Sequence, residues 1–330
     1  MKYFVVFWFL SSAILVNGQS RSVEFKPTVY YNNFSHKFPA VLKVQPGDTV
    51  KSESVDAGGF DRLGKQRAKS GNPLTGPFFI EGALPGDVVA ITLTKVSLNR
   101  GNASTVEGFI QRSLPQELMK EVYGRNTKRI IWKLDREKGL AYPEPIYDHL
   151  KNFTIPLHPF MGCVGVAAPL KSKEPLTYTA DNFGGNMDFN RVTTGATIYL
   201  PVFHEGALLY IGDGHAAQGD GELNGDALET SMDFAFVAKV VKGKNRIEFP
   251  RIEDSEYIIG MAMDETMDMA LKKATGTLLQ WLQQDYNLTL QEATQVIGTS
   301  MEYRVPTLAS PKYVIAAMIK KKYLIGINNK

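Results

Sequence analysis

The run Gly212-Asp213-Gly214-His215-Ala216-Ala217-Gln218-Gly219-Asp220-Gly221-Glu222 puts two aspartates, a histidine, a glutamine and a glutamate into one short stretch, spaced almost entirely by glycine and alanine. Each glycine costs roughly 1 kcal/mol in a helix, so the segment is a poor helix former. As a buried strand it would leave polar groups in need of partners. It therefore reads as a tight loop that folds ligating or proton-moving groups toward one point, glycine permitting sharp turns and close approach to a ligand. Three other segments concentrate small and polar residues: 52–59 with Asp56, 157–162 with His158, and 181–188 with Asn186 and Asp188. Glu229 adds a carboxylate at the start of a strand.

Imidazole and carboxylate together suit zinc or another divalent ion. A hydrolytic site of that kind takes three protein ligands and an open position for water, whose pKa the ion lowers toward neutrality. A nearby carboxylate then carries the proton to the leaving group. The chain has five histidines, and His158 and His215 lie beside glycine-rich turns, which makes them the natural ligand pair. Plainer readings stand beside these. His158 precedes Pro159 and could satisfy a backbone carbonyl; Asp213 and Asp220 could cap turns; Gly184-Gly185-Asn186 could be a strained turn. Asp48 and Asp87, each in a Pro-Gly-Asp turn, read as structural.

Other chemistries lack their signatures. There is no Gly-x-Ser-x-Gly elbow, no serine-rich segment with the lysine of the common serine amidases, no phosphate-binding or dinucleotide glycine fingerprint, and no His-Glu-x-x-His. Cys163, the one cysteine, sits in an apolar strand-like run and reads as a buried, inert thiol.

The elements that must carry these residues are mostly strands. Across 22–110, short β-branched runs alternate with Pro-Gly-Asp turns, the pattern of an antiparallel sandwich or barrel-like body. A short helix is predicted over 114–123, a strand over 130–134 and a hairpin turn at 136–139. Strands return through 155–240. The tail reads as β-α-α-β-β: a strand over 257–263, an amphipathic helix over 265–284, and a second helix opened by Thr289 with Glu292 as its capping-box partner and stopped by Gly298. Strands over 301–305 and 313–319 close it. The fold class is thus α+β, mainly β, with a β-rich body over 19–245 and an α+β portion over 246–330.

Net charge is +3 with acids and bases interspersed, which gives no nucleic-acid footprint. Residues 1–18 have the basic start, apolar core and small-residue end of a secretory signal. Their apolar run is too short to span a bilayer comfortably, so no stable membrane insertion is expected after its removal. The expected mature chain begins near Gln19 and is secreted or periplasmic. A single cysteine then means no internal disulfide.

The motifs resemble the acetamidase/formamidase family. The matching pieces are Pro73-Leu74-Thr75-Gly76-Pro77 with Ile80-Glu81-Gly82-Ala83 and Pro85-Gly86-Asp87; His158-Pro159-Phe160-Met161-Gly162; Gly184-Gly185-Asn186-Met187-Asp188; and the 212–222 run with Glu229 beyond. They fall in family order over 40–240. The resemblance implies hydrolysis of a short linear amide to a carboxylate and ammonia, a β-rich fold with an α+β part, a divalent metal, and a homo-oligomer. Within it, His158, Asp188 and His215 are the expected metal ligands, with Asp213 and Asp56 next. Glu222 and Glu229 are the expected proton shuttles, and Asn186 with the Gly184-Gly185 amides the expected oxyanion donors. Two features depart from the family: the signal, and the region 100–155, whose loops could line the pocket, so that an exported member could act on a larger amide or on another carbon–nitrogen bond.

A rival reading is a non-catalytic β-sandwich that grips carbohydrate through calcium, since acidic glycine-rich loops also suit that ion. The imidazoles favour zinc over calcium. A family member that kept the scaffold and lost turnover is a further alternative.

Overall fold

The computed structural model describes residues 20–123, 128–144, 147–170, 173–243 and 246–327. The proposed signal, residues 1–18, lies outside them. Among the described residues no helix is long and apolar enough to cross a membrane.

Two large sheets carry the fold. The first, of nine strands, runs Ser22–Glu24, Thr49–Glu53, Met232–Val241, Val88–Leu98, Thr197–Pro201, Arg251–Glu253, Tyr257–Asp264, Tyr313–Lys320 and Glu302–Arg304 in spatial order. The second, of eleven, contains the path Gly184–Asn186, Phe160–Val166, Leu209–His215, Glu229–Thr230, Asn102–Val106, Arg129–Asp135 and Leu140–Glu144. Pairing is antiparallel except where Ser22–Glu24 meets Thr49–Glu53 and where Leu42–Val44 meets Thr75–Ile80. One apolar core draws on both sheets, joining Val89 and Ile91 of the first to Met161, Val164 and Ile211 of the second. The body is mainly β as expected, but it forms open sheets and no closed barrel.

The tail follows the β-α-α-β-β order, and its strands extend the nine-stranded sheet. Helix α1 spans Gln116–Tyr123, α2 Met267–Asp285 and α3 Leu290–Ser300. The Thr289–Glu292 capping box is formed in both directions. Gly298 does not stop α3, which continues to Ser300. The Met301 amide, in extended conformation, donates to Ile297 O and closes the helix there; Gly298 keeps a negative-φ helical backbone rather than the left-handed one of a C-cap glycine. Gly260 is where α2 rests on the sheet. A Cβ there would lie 2.7 Å from Leu278 N and 2.8 Å from Ala274 O, so the helix backbone seats directly on the strand.

The 212–222 run is only half a loop. Residues 209–215 form a fully buried central strand, and the loop proper begins after His215. The expectation of a loop assumed that buried polar groups there would lack partners. They find them in one another.

Candidate active site

Strand register assembles the site. Phe160 pairs with His215 and Met161 with Gly214 on one side of the central strand, and His215 pairs with Glu229 on the other. Directly opposed residues of neighbouring strands present their side chains on one face, and Asp213 and His215, two apart, share a face of their strand. Asp188 follows the Gly184–Asn186 strand, its amide donating to Gly162 O at 3.0 Å. Glu222 comes from the loop after His215 and is held by the Thr307 hydroxyl, which donates to its Oε2 at 2.7 Å.

Five ionisable groups thereby meet in the interior. Asp188, His215 and Glu222 each offer a ligand atom within 4.8 Å of the others, and so do Asp213, His215 and Glu229. All five are buried. Four carboxylates against one imidazole is an excess of negative charge that a low-dielectric interior does not tolerate unless protons or a cation balance it. Burial pushes the Glu222 carboxyl up to about 7 and that of Glu229 up to about 8. Burial, then Glu222 and Asp213, hold Asp188 well above the carboxylate range. Burial opposes charge on His215, yet Glu229 and Asp213 raise it well above its ordinary value. Burial also works to raise Asp213, but His215 beside it keeps it below the usual range.

The imidazole is oriented by Gln218. The Gln218 Nε2 donates to Asp188 O at 2.8 Å and Pro306 O at 3.0 Å. That fixes Oε1 as the atom 2.9 Å from His215 Nδ1, so Nδ1 carries the hydrogen. Nε2 then faces Glu229 Oε1 at 3.1 Å and Asp213 Oδ1 at 3.3 Å. Either a second proton or a cation must lie on that side. Buried Asp188 Oδ1, His215 Nε2 and Glu229 Oε2 have no hydrogen-bond partner, an arrangement native interiors rarely leave without a ligand.

The backbone is tuned to the same purpose. Asp188, Asp213 and Glu222 have φ of 47°, 61° and 48°, and Asn72 63°; left-handed backbone at non-glycine residues costs about 1–3 kcal/mol each and clusters at functional sites. Gly162 forms the floor. A Cβ at that position would lie 2.7 Å from Asp213 Oδ2, 2.8 Å from Asp188 Oδ1 and 2.9 Å from His215 Cε1.

Three expected site residues are elsewhere or otherwise engaged. His158 is exposed and belongs to neither converging group. Its backbone amide donates to Ala216 O, which aligns the segment without turning the ring inward. Asp56 is buried but paired with Arg100, whose guanidinium donates to Asp56 Oδ2 at 2.6 Å and to Glu229 O at 3.3 Å. Asn186 lies in the site, but its amide nitrogen donates to Asp188 Oδ2 at 2.6 Å and its oxygen accepts from Asn72. The Gly184–Asn186 strand is flanked by strands on both sides, which draws its backbone into the ladders. These contacts make Asn186 a holder of Asp188, with one of its two amide hydrogens committed to that carboxylate. Cys163 is buried as expected, and burial raises its thiol well above the ordinary value.

Sequence reasoning assigned no role to Asn72, Arg100, Gln218, Thr307 or Gly162. Gln218 stood in the quoted motif three residues after His215, a spacing at which an amide reaches an imidazole across a turn. Arg100 and Thr307 act from 129 and 85 residues away along the chain and carry no local signal.

Glu222 also lines a cavity of about 350 Å³, with Thr105, Phe109, Trp132, Phe153, Ala217 and Leu223 among its walls.

A mainly β fold that gathers four buried carboxylates around one oriented imidazole concentrates acid–base and ligating groups at a single point. A model of the acetamidase/formamidase family matches residues 17–177 and 175–300. The chain is 25% identical over 358 residues to an acetamidase of Mycolicibacterium smegmatis, covering 85% of this chain and 88% of the relative. It is 23% identical over 340 residues to a formamidase of Methylophilus methylotrophus, covering 82% and 83%. A crystal structure of an acetamidase from Yersinia enterocolitica superposes with a TM-score of 0.78 at 25% identity, over 93% of this chain and 94% of that one. The chain belongs to the acetamidase/formamidase family and is an enzyme of the amide hydrolase class.

Proposed function

We propose that this protein is an exported, metal-dependent amidase that hydrolyses a linear amide to a carboxylate and ammonia. The carbon–nitrogen bond breaks, a bond forms from the carbonyl carbon to the oxygen of water, and water's proton passes to the departing nitrogen. The observation that carries the metal reading is the set of buried, unpartnered atoms Asp188 Oδ1, His215 Nε2 and Glu229 Oε2.

On this reading His215 Nε2, Asp213, Glu229 and Asp188 hold a divalent cation. A donor set of one imidazole and several carboxylates fits zinc and its transition-metal neighbours better than calcium. Such an ion supplies Lewis acidity and a more acidic water. Gln218 keeps the imidazole in the tautomer that offers Nε2. Asn186 and Arg100 orient Asp188 and the Glu229 backbone. Glu222, the member of the cluster that lines the cavity, takes the proton of the attacking water and delivers it to the nitrogen, as a carboxyl with pKa near neutrality does best. The amino-terminal sequence supports export, and the family resemblance supports a homo-oligomer, which sedimentation of the purified protein would check.

The test is metal analysis of the purified protein together with ammonia release from formamide and acetamide. The proposal expects a divalent metal at one or two equivalents per chain, loss of activity on chelation and recovery on addition of zinc. Ammonia release that is indifferent to chelation, or His215→Ala with wild-type metal content, would overturn it.

A further inference from the structure

We infer that the amide this enzyme prefers carries an aromatic or branched apolar group, seated in the cavity walled by Phe109, Trp132, Phe153 and Leu223. The inference rests on the amidase reading above and deepens it.

The cavity adjoins the chemistry, because Glu222 is one of its walls. Its volume, about 350 Å³, falls in the usual range for small-molecule sites, roughly 300–1,000 Å³. Formamide and acetamide would leave most of it as water against apolar surface. The aromatic walls, Phe109, Trp132 and Phe153, come from the region 100–155, where the sequence departs from the family motifs, and the rest from 217–228; Trp132 stands edge-on to Phe153 with centroids 6.1 Å apart. Phe109 is 38% exposed, Phe153 44% and Leu223 36%. Large apolar side chains gathered at one opening mark a binding surface.

The hydrogen-bond donors of the polar side chains around the cavity are committed to the protein, and its exposed carboxylates are paired with arginines. The Thr105 hydroxyl donates to Asp226 O at 2.9 Å, Asn224 Nδ2 to Gly108 O at 2.8 Å, and Asp226 pairs with Arg129 at 2.8 Å. Asp220 pairs with Arg304, and the Gln218 amide is fully used by His215, Asp188 and Pro306. What remains for an occupant is shape and apolar contact. The cavity accommodates an apolar group on either the carbonyl carbon or the nitrogen. The shared chemistry is an uncharged amide with a bulky apolar substituent.

The experiment compares kcat/KM for phenylacetamide against acetamide, and for N-phenylformamide against formamide, following carboxylate release in each. The expected result is a preference of at least about tenfold for the phenyl compound in one of the pairs, the size of effect a well-fitted hydrophobic pocket gives. The pair that shows it identifies the side of attachment. Trp132→Ala and Phe109→Ala should each cut that preference by about tenfold; Phe109, being more exposed, serves if the Trp132 variant does not fold. Turnover of acetamide and formamide without preference for either phenyl compound overturns the inference and leaves the amidase reading standing. A preference that survives both substitutions also overturns it. No product from any of the four amides would mean that the amidase reading itself has failed.

Discussion

Gln218 accepts a hydrogen bond from His215 Nδ1 at 2.9 Å, and this contact determines the chemistry of the opposite side of the ring. Because the Gln218 amide nitrogen is committed to two backbone carbonyls, its oxygen cannot be exchanged for a donor. The imidazole is therefore held with its Nε2 lone pair aimed between Asp213 and Glu229. Partners of this kind around a metal-binding histidine are worth about 10–100-fold in metal affinity or activity. Gln218→Leu should lower zinc affinity by about that factor, measured by competition with a chromophoric chelator. Equal affinity in the wild type and the leucine variant would remove Gln218 from the argument.

Gly162→Ala tests the floor of the site. The added methyl would meet two carboxylate oxygens and the imidazole at under 3 Å, so Asp188, Asp213 and His215 must move apart. Overpacking of this sort costs about 1–3 kcal/mol. The expected outcome is a folded protein with a modestly lowered unfolding temperature and no stoichiometric metal. A variant that retains both metal and activity would show that the cluster is looser than its contacts imply.

The residue types that gather in the buried cluster were legible in the sequence, and so was much of the architecture. The Thr289–Glu292 box, the two tail helices and the β-rich body follow from local patterns that the structure keeps. The residues that the structure places outside the cluster share a cause. His158 and Asp56 looked like ligands because each lies near glycine-rich sequence, but local composition does not say which way a side chain points. For His158, a backbone bond to Ala216 leads the chain into the Phe160–Val166 strand with the ring outside. For Asp56, a cation 44 residues away in sequence claims the carboxylate. Lone polar groups are penalised in a buried strand, which makes the glycine-rich run read as a loop; that penalty vanishes when strand register and the adjoining loops put five such groups in one place.

The same crowding gives the metal-free protein an unusual pH dependence. Glu222 and Glu229 have folded-state values of about 7 and about 8, against an ordinary glutamate value of about 4.3. A raised carboxyl stabilises the fold fully below its unfolded value and loses that contribution as pH rises through the folded value. His215, raised by Glu229 and Asp213, adds stability below about 6.5 that is likewise lost as pH rises further. Chelated protein should therefore show a urea midpoint that falls steadily between about pH 5 and about pH 8. Zinc at about 100 times its dissociation constant should restore about 2.7 kcal/mol; at one fixed zinc concentration the gain should be larger at the higher pH, because the ion displaces protons from its ligands. A midpoint that is flat or rises over this interval in the absence of metal would contradict the electrostatic account of the cluster.

Asp56 and Arg100 supply the sharpest separation of support from ligation. Their side chains are 7% and 10% exposed, and they meet at 2.6 Å beneath the Glu229 backbone. Removing one partner of a buried pair leaves the other charge uncompensated, at a cost of about 3–5 kcal/mol, whereas replacing both with apolar groups is often neutral. Asp56→Ala should thus lower stability by about that amount and still bind metal stoichiometrically when assayed well below its unfolding temperature. A double variant, Asp56→Leu with Arg100→Met, should recover most of the stability. His158→Ala, on an exposed side chain, should leave both stability and metal content near wild type. Loss of the ion in the folded Asp56 or His158 single variants would return those residues to the coordination sphere and displace the assignment made from Asp188, Asp213, His215 and Glu229.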